Sequence, residues 1–223
     1  MDDFEPLALE ILKHHGYSTE RVLYLGSGEQ SVCYGAGDVA LLINRGQDVP
    51  DVREANPFPL QQWLAAKAIN AGVKTTEILT VGDRQRPYAL MRRIHGINGA
   101  TYNEVCEAQV AEWCREMGAQ VRKINGIQTE GFGEFVPSGS GGYRGRYPTW
   151  SAYLEACIAK YLFMGPLGQE ERAVRDLFLI QDIISSVELE KIATQLDAAK
   201  SWGTQSVLVH YDNRLANLIV DSG

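Results

Sequence analysis

Three polar residues near the end of the chain have the types and spacing for chemistry: His210, Asp212 and Asn217. They sit in a short loop between two apolar runs, Val207-Leu208-Val209 and Leu218-Ile219-Val220, each of which reads as a buried β-strand. An Asp at the end of a strand accepts or orients the proton of an attacking hydroxyl. An Asn five positions further on offers its side-chain carbonyl oxygen to Mg²⁺. Those are two of the tasks that phosphoryl transfer sets a protein. The same residues also suit a plain hairpin in which Asp and Asn are turn formers, so the segments that would position them have to decide.

Length and composition bound the answer. A chain of 223 residues can bury a substantial core, as one large domain or two small lobes. With 45% hydrophobic and 22% charged residues it has ordinary globular composition, and its net charge of −7 argues against a nucleic-acid or anionic-membrane partner. A cationic substrate is compatible with that charge. Cys33, Cys106, Cys114 and Cys157 form no C-x-x-C pair and lie within apolar or helical patterns, as reduced thiols of a cytoplasmic protein do. The acidic start Met1-Asp2-Asp3-Phe4-Glu5 lacks the apolar segment of a secretory signal, and no apolar stretch approaches the ~20 residues of a membrane helix.

Taken in order, Leu7 to His15 suits a short amphipathic helix stopped by Gly16. Val22-Leu23-Tyr24-Leu25, the turn Gly26-Ser27-Gly28-Glu29-Gln30-Ser31 and Val32-Cys33-Tyr34 read as strand, glycine-rich turn, strand. Such a turn exposes backbone N–H groups able to hold phosphate oxygens. No helix pattern follows it, which speaks against a dinucleotide fingerprint. Val39 to Arg45 is a third strand, residues 60–71 a helix ended by Gly72, and residues 73–81 and 87–94 two more strands, the latter closing with His95-Gly96. From Tyr102 to Ile124 apolar residues recur at mostly helical spacing. Residues 129–147 are so glycine-rich that an irregular functional loop is expected. Three helices are expected after Thr149, the last two over residues 170–184 and 186–202.

The run Leu208-Val209-His210-Tyr211-Asp212-Asn213-Arg214-Leu215-Ala216-Asn217-Leu218-Ile219-Val220-Asp221 resembles the catalytic loop of the aminoglycoside phosphotransferase (kinase-like) family, His-Gly-Asp-x-x-x-x-Asn followed by apolar residues and Asp, with Tyr211 where the family has Gly. The order of elements extends that resemblance over nearly the whole chain. It implies an α+β, protein-kinase-like two-lobe fold: an antiparallel five-stranded lobe over residues 1–96, and a partial helical lobe over 97–223. It implies ATP- or GTP-dependent, Mg²⁺-assisted O-phosphorylation of a small hydroxylated molecule. Asp212 would be the catalytic base, His210 the anchor of the loop and Asn217 a Mg²⁺ ligand. Gly26, Ser27, Gly28 and Ser31 would close over the phosphates, the purine would meet backbone groups around Arg92 and Ile94, and Met91 would lie behind it.

The sequence departs from the family in two places that belong together. Laid on the family's third strand, Val39-Ala40-Leu41-Leu42 puts Leu42 where a Lys or Arg should hold the α/β-phosphates. Arg45, three residues on, is expected on the opposite face. The helix Glu that pairs with that cation falls at Gln61. Removing both members of an ion pair is self-consistent, since losing one leaves an unpaired charge. The family's second Asp, expected beyond a hairpin after Asn217, would lie past Gly223. These departures lead to an expectation of little turnover by residues 1–223, with a fold-retaining pseudokinase as the alternative.

Overall fold

A computed structural model of the chain describes residues 4–28, 30–46, 56–99, 106–158, 185–203, 205–210 and 217–220. In chain order the elements are α1 (Glu5–His14), β1 (Val22–Ser27), β2 (Ser31–Ala36), β3 (Val39–Asn44), α2 (Phe58–Asn70), β4 (Ile78–Arg84) and β5 (Arg86–Arg92). They continue as β6 (Ile97–Asn98), α3 (Glu107–Ile124), β7 (Phe132–Pro137), β8 (Tyr143–Tyr147), α4 (Trp150–Ile158), α5 (Ser186–Ala199) and β9 (Ile219–Val220). Two compact units result, one of residues 1–127 with 209–223, the other of residues 128–208.

The first unit is built on an antiparallel sheet of five strands in the order β1-β2-β3-β5-β4. Its register decides what each face does, because directly paired residues share a face and neighbours along a strand do not. Tyr34, Leu41 and Leu90 form one cross-strand row and Val32, Ile43 and Tyr88 the next. Both rows are buried in a cluster with Ala8, Ile11 and Leu12 of α1. The helix has the sequence for this. Its buried residues recur at i, i+3 and i+4, Pro6 occupies its first turn, and Lys13 and His14 face the negative end of its dipole. Ile11, Leu12, Leu41, Ile43 and Leu90 are fully buried, each stabilising the unit by roughly 1.5–3 kcal/mol. The opposite face carries Cys33, Leu42 and Ala89 in one row and Gly35, Ala40 and Met91 in the next.

The crossover α2 packs on β4 and β5. Asn56 accepts the Phe58 N–H at the start of this helix (3.0 Å) and donates to the Gly82 carbonyl (3.1 Å), fixing the helix to the sheet. Farther along the chain, α3 is held by polar contacts. Gln120 Oε1 accepts the Lys74 N–H (2.9 Å), Lys123 Nζ donates to the Gly72 carbonyl (2.7 Å), and Lys74 pairs with Glu116 (3.0 Å). The Lys74 hydrogen bond is the main reason the Glu116 carboxyl is held below its ordinary range. Both partners are exposed, so the pair orients the helix more than it stabilises it.

In the second unit the structure corrects the sequence reading. Residues 129–147 are not irregular: β7 and β8 form an antiparallel hairpin joined through residues 138–142. Gly141 and Gly142 carry the positive φ values (81° and 118°) that let the chain reverse there. Phe132, Phe135, Tyr143 and Tyr147 supply the β-forming residues, and the density of glycine masked them. Trp150 packs on Phe132 and Tyr153, and its indole N–H donates to the Ala199 carbonyl (2.8 Å), tying α4 to α5. The first residue before α5 is Ser185, which shares a reciprocal capping box with Glu188.

Other boundaries shift. The fourth strand begins at Ile78 rather than Val73, and α3 at Glu107. The expected strand at residues 207–209 is reduced to one bridge, Val207 with Gln128, and α5 ends at Ala199 rather than Trp202. The helix expected over residues 170–184 lies outside the described residues.

Candidate active site

The glycine-rich turn, the third strand, the segment over residues 92–96 that the family resemblance makes the hinge, and the end of the polar loop all belong to the first unit. Gly26 and Ser27 end β1, Ser31 begins β2, and the Gly28 N–H donates to the Ser31 carbonyl (2.9 Å) to close the turn. Gly26 has φ +145°, and no atom lies within 4 Å of where a Cβ would stand on either Gly26 or Gly28. The turn therefore leaves open space against its backbone, which is what a closely approaching phosphate requires.

Leu42 is half-buried on the face opposite α1, level with Cys33 and Ala89. Ala40 and Met91 share that face one row nearer the hinge. A Cβ on Gly35, in the same row, would stand 3.0 Å from Leu25 Cδ1 and 3.1 Å from Arg93 Nη1, so both side chains lean over this part of the sheet. Burial pushes the Cys33 thiol up to about 11, against a smaller downward pull from the Arg93 guanidinium. The face is thus apolar and shallow-sided under Leu25, with a guanidinium at its hinge edge.

The hinge is partly spoken for. The Arg92 N–H donates to the Glu77 carbonyl (2.9 Å), the Arg92 carbonyl accepts from Thr76 Oγ1 (2.5 Å), and its guanidinium pairs with Glu77 (2.6 Å). The Arg92 carbonyl keeps a second lone pair for a base, while its N–H does not remain available. Ile94 is exposed. His95, an exposed turn residue, pairs with Asp38 at 3.2 Å.

Beyond the hinge, β6 pairs antiparallel with β9, Ile97 opposite Val220 and Asn98 opposite Ile219, and the Gly99 N–H donates to the Leu218 carbonyl (2.8 Å). Gly96 is needed for this approach: a Cβ there would stand 2.5 Å from the Val220 carbonyl oxygen. The strand after Asn217 is therefore fastened directly to the segment leaving the hinge, although more than 100 residues separate them in sequence. Asn217 and His210 are both exposed, and Asp212 lies outside the described residues. Among the described residues no three His, Cys, Asp or Glu side chains converge as a metal site.

The position expected for the helix Glu, Gln61, is exposed. The residue of α2 that reaches the sheet is its neighbour Gln62, whose amide donates to the Ile78 carbonyl (3.0 Å). Neither of these two side chains carries a charge. Arg45, the cation nearest to Leu42 in sequence, donates from Nη1 to the Gly28 carbonyl (3.2 Å).

Five antiparallel strands in this order, a glycine turn between the first two, a helix between the third and fourth and a segment after the fifth fastened to β9 define a kinase-like α+β fold. Residues 52–223 match the profile of the APH phosphotransferase enzyme family, and the chain belongs to that family. No curated protein sequence matches the chain significantly. Similar solved structures include a spectinomycin phosphotransferase in complex with ADP and spectinomycin, at 13% identity over 97% of this chain and 65% of that one, TM-score 0.48. A mutant aminoglycoside 2'-phosphotransferase-IIIa in its GDP complex matches at 11% identity over 83% of this chain and 60% of its own, TM-score 0.46. A choline/ethanolamine kinase family protein from Mesorhizobium loti matches at 18% identity over 79% and 52%, TM-score 0.37. The chain spans between 52% and 65% of the length of these three proteins.

Proposed function

We propose that the chain is the nucleotide-binding and catalytic-loop portion of an O-phosphotransferase that moves a phosphoryl group from ATP or GTP to a small hydroxylated molecule, an aminoglycoside-like compound or another small alcohol. The observation that carries this is the family match over residues 52–223, which includes the polar loop. Residues 1–96 would form the lobe that holds the nucleotide and 97–223 a partial helical lobe, in the cytoplasm. No described helix is long and apolar enough to cross a membrane.

In this reading the purine lies on the face carrying Ala40 and Met91, hydrogen-bonded to the Arg92 carbonyl and to backbone groups of Ile94. The phosphates run under Gly26, Ser27, Gly28 and Ser31, whose open backbone fits them. The acceptor hydroxyl hands its proton to Asp212 as it attacks the terminal phosphorus in line with the departing nucleotide oxygen. His210 anchors the loop. Asn217 has the oxygen donor that Mg²⁺ takes, and the ion would neutralise phosphate charge. Leu42 holds the strand but cannot neutralise anything.

Leu42 and the uncharged Gln61 also favour a second reading, a pseudokinase that binds without turnover. Two missing charge-assisted contacts at the phosphates would lower the rate by about 10²–10⁴. The test is nucleotide consumption against a panel of aminoglycosides and polyols, with residues 1–223 beside the same chain carrying whatever its gene encodes past Gly223. Turnover abolished by Asp212→Ala, with the melting temperature unchanged, supports the transferase. Nucleotide binding without turnover in either chain favours the pseudokinase. Absence of nucleotide binding from both overturns the site.

A further inference from the structure

The third strand lacks a cation where one should meet the phosphates, yet the protein places a guanidinium at the glycine turn by another route. Strict alternation would send Arg45 to the α1 face. The strand ends one residue earlier, at Asn44. Beyond it the Asn44 side-chain oxygen accepts the Gly46 N–H (2.8 Å), an Asx turn, and the long Arg45 side chain reaches the glycine turn from this strand end. Gly46 has φ +58°, which glycine adopts without strain, and the Arg86 guanidinium lies against it. Arg45 is then tied to the tip of the turn twice: its backbone N–H donates to the Gln30 carbonyl (2.8 Å) and its Nη1 donates to the Gly28 carbonyl (3.2 Å).

We propose that Arg45 supplies the phosphate-holding charge that β3 lacks at Leu42, acting from the tip of the glycine turn. This rests on the nucleotide-site reading above. A guanidinium has five N–H donors in a planar fork, and the contact with Gly28 uses one of them. The remaining edge suits two oxygens of one phosphate, or one oxygen of each of two. Among the described residues no carboxylate lies within salt-bridge distance of Arg45. The open space against Gly26 and Gly28 is the adjoining part of the same turn. Arg86, beside Gly46, adds a second positive charge at this end of the sheet. Leu42 is tolerable in this arrangement because the cation has moved from the strand to the turn.

The experiment is calorimetric titration of adenosine, AMP and ADP into residues 1–223, wild type and with Arg45→Gln, Arg45→Met and Arg45→Lys. Wild-type affinity is expected to rise from adenosine to ADP. Arg45→Gln and Arg45→Met should lower ADP affinity by about 10- to 100-fold, the range of a charge-assisted phosphate contact, with adenosine affinity within about twofold of wild type. Arg45→Lys should recover most of the loss, since it restores charge without the fork. Reading Gln and Met side by side protects the result against one of them failing to fold. An unchanged ratio of ADP to adenosine affinity overturns the proposal. Equal weakening of both ligands overturns it too, leaving Arg45 as a brace for the turn. If wild type binds none of the three, the nucleotide site itself is wrong and the role of Arg45 falls with it.

Discussion

On one face of the sheet Leu41, Ile43 and Leu90 are wholly buried beneath Ile11 and Leu12 of α1. On the other, one residue away along the same strands, stand Ala40, Leu42, Ala89 and Met91, mixed in size and in burial. The pleat assigns the packing against α1 to the first face, and the second is the one proposed above for a nucleotide. Position 42 then makes chemical sense. An apolar residue there does not serve the core, which is complete without it.

Substitution can break that contrast. Leu41→Ala removes a fully buried side chain and should cost about 2–5 kcal/mol in urea unfolding of the first unit. Leu42→Ala, half-buried, should cost about 1 kcal/mol or less. Comparable losses at the two sites would mean that both faces are core, and the ligand-facing role of the second would go.

A smaller effect sharpens the description of the packed face. His15, at the end of α1, meets the Tyr88 hydroxyl at 2.9 Å, with His14 and the Arg84–Glu10 pair nearby. Burial first, then the charges of His14 and Arg84, hold its pKa below the ordinary value of 6.5. A histidine that resists protonation when folded contributes its stability above the unfolded pKa and loses it as pH falls through about 6.5 towards the lower folded value. Wild type should therefore lose stability between about pH 7 and 5 more steeply than His15→Gln. Identical slopes would remove His15 from the packing of this face.

The smallest expected effect is kinetic and separates the thiols. Cys106 and Cys114 are exposed, whereas Cys33 is half-buried on the face opposite α1 with a pKa raised to about 11 by burial. With a disulfide reagent at pH 8, the first two should react well before Cys33, because the thiolate is the nucleophile. Mass spectrometry of labelled peptides reads the order, and early labelling of Cys33 would mean that this face is open to water.

Much of this arrangement was legible in the sequence, for reasons that also explain the failures. The five strands announced themselves as apolar runs cut by glycine turns, and the hinge as a strand closing on His95-Gly96. The hairpin over residues 132–147 was hidden because glycine counts against a strand locally, while here glycines supply its turn. The contact of Arg45 with the Gly28 carbonyl was not legible in the sequence, because strand alternation gives the face of a residue and not where a long side chain ends. The pairing of β6 with β9 could not be read at all, since two-residue strands have no periodicity and their partners are distant in sequence.

Hydrogen–deuterium exchange of residues 1–223, with and without saturating Mg²⁺-ADP, tests most directly whether the face opposite α1 is a nucleotide site. Exchange should slow at Gly26–Ser31, around Leu42 and over Met91–Ile94, with α1 and residues 128–208 unchanged. Slowing confined to residues 128–208, or none at any nucleotide concentration up to millimolar, would contradict that assignment.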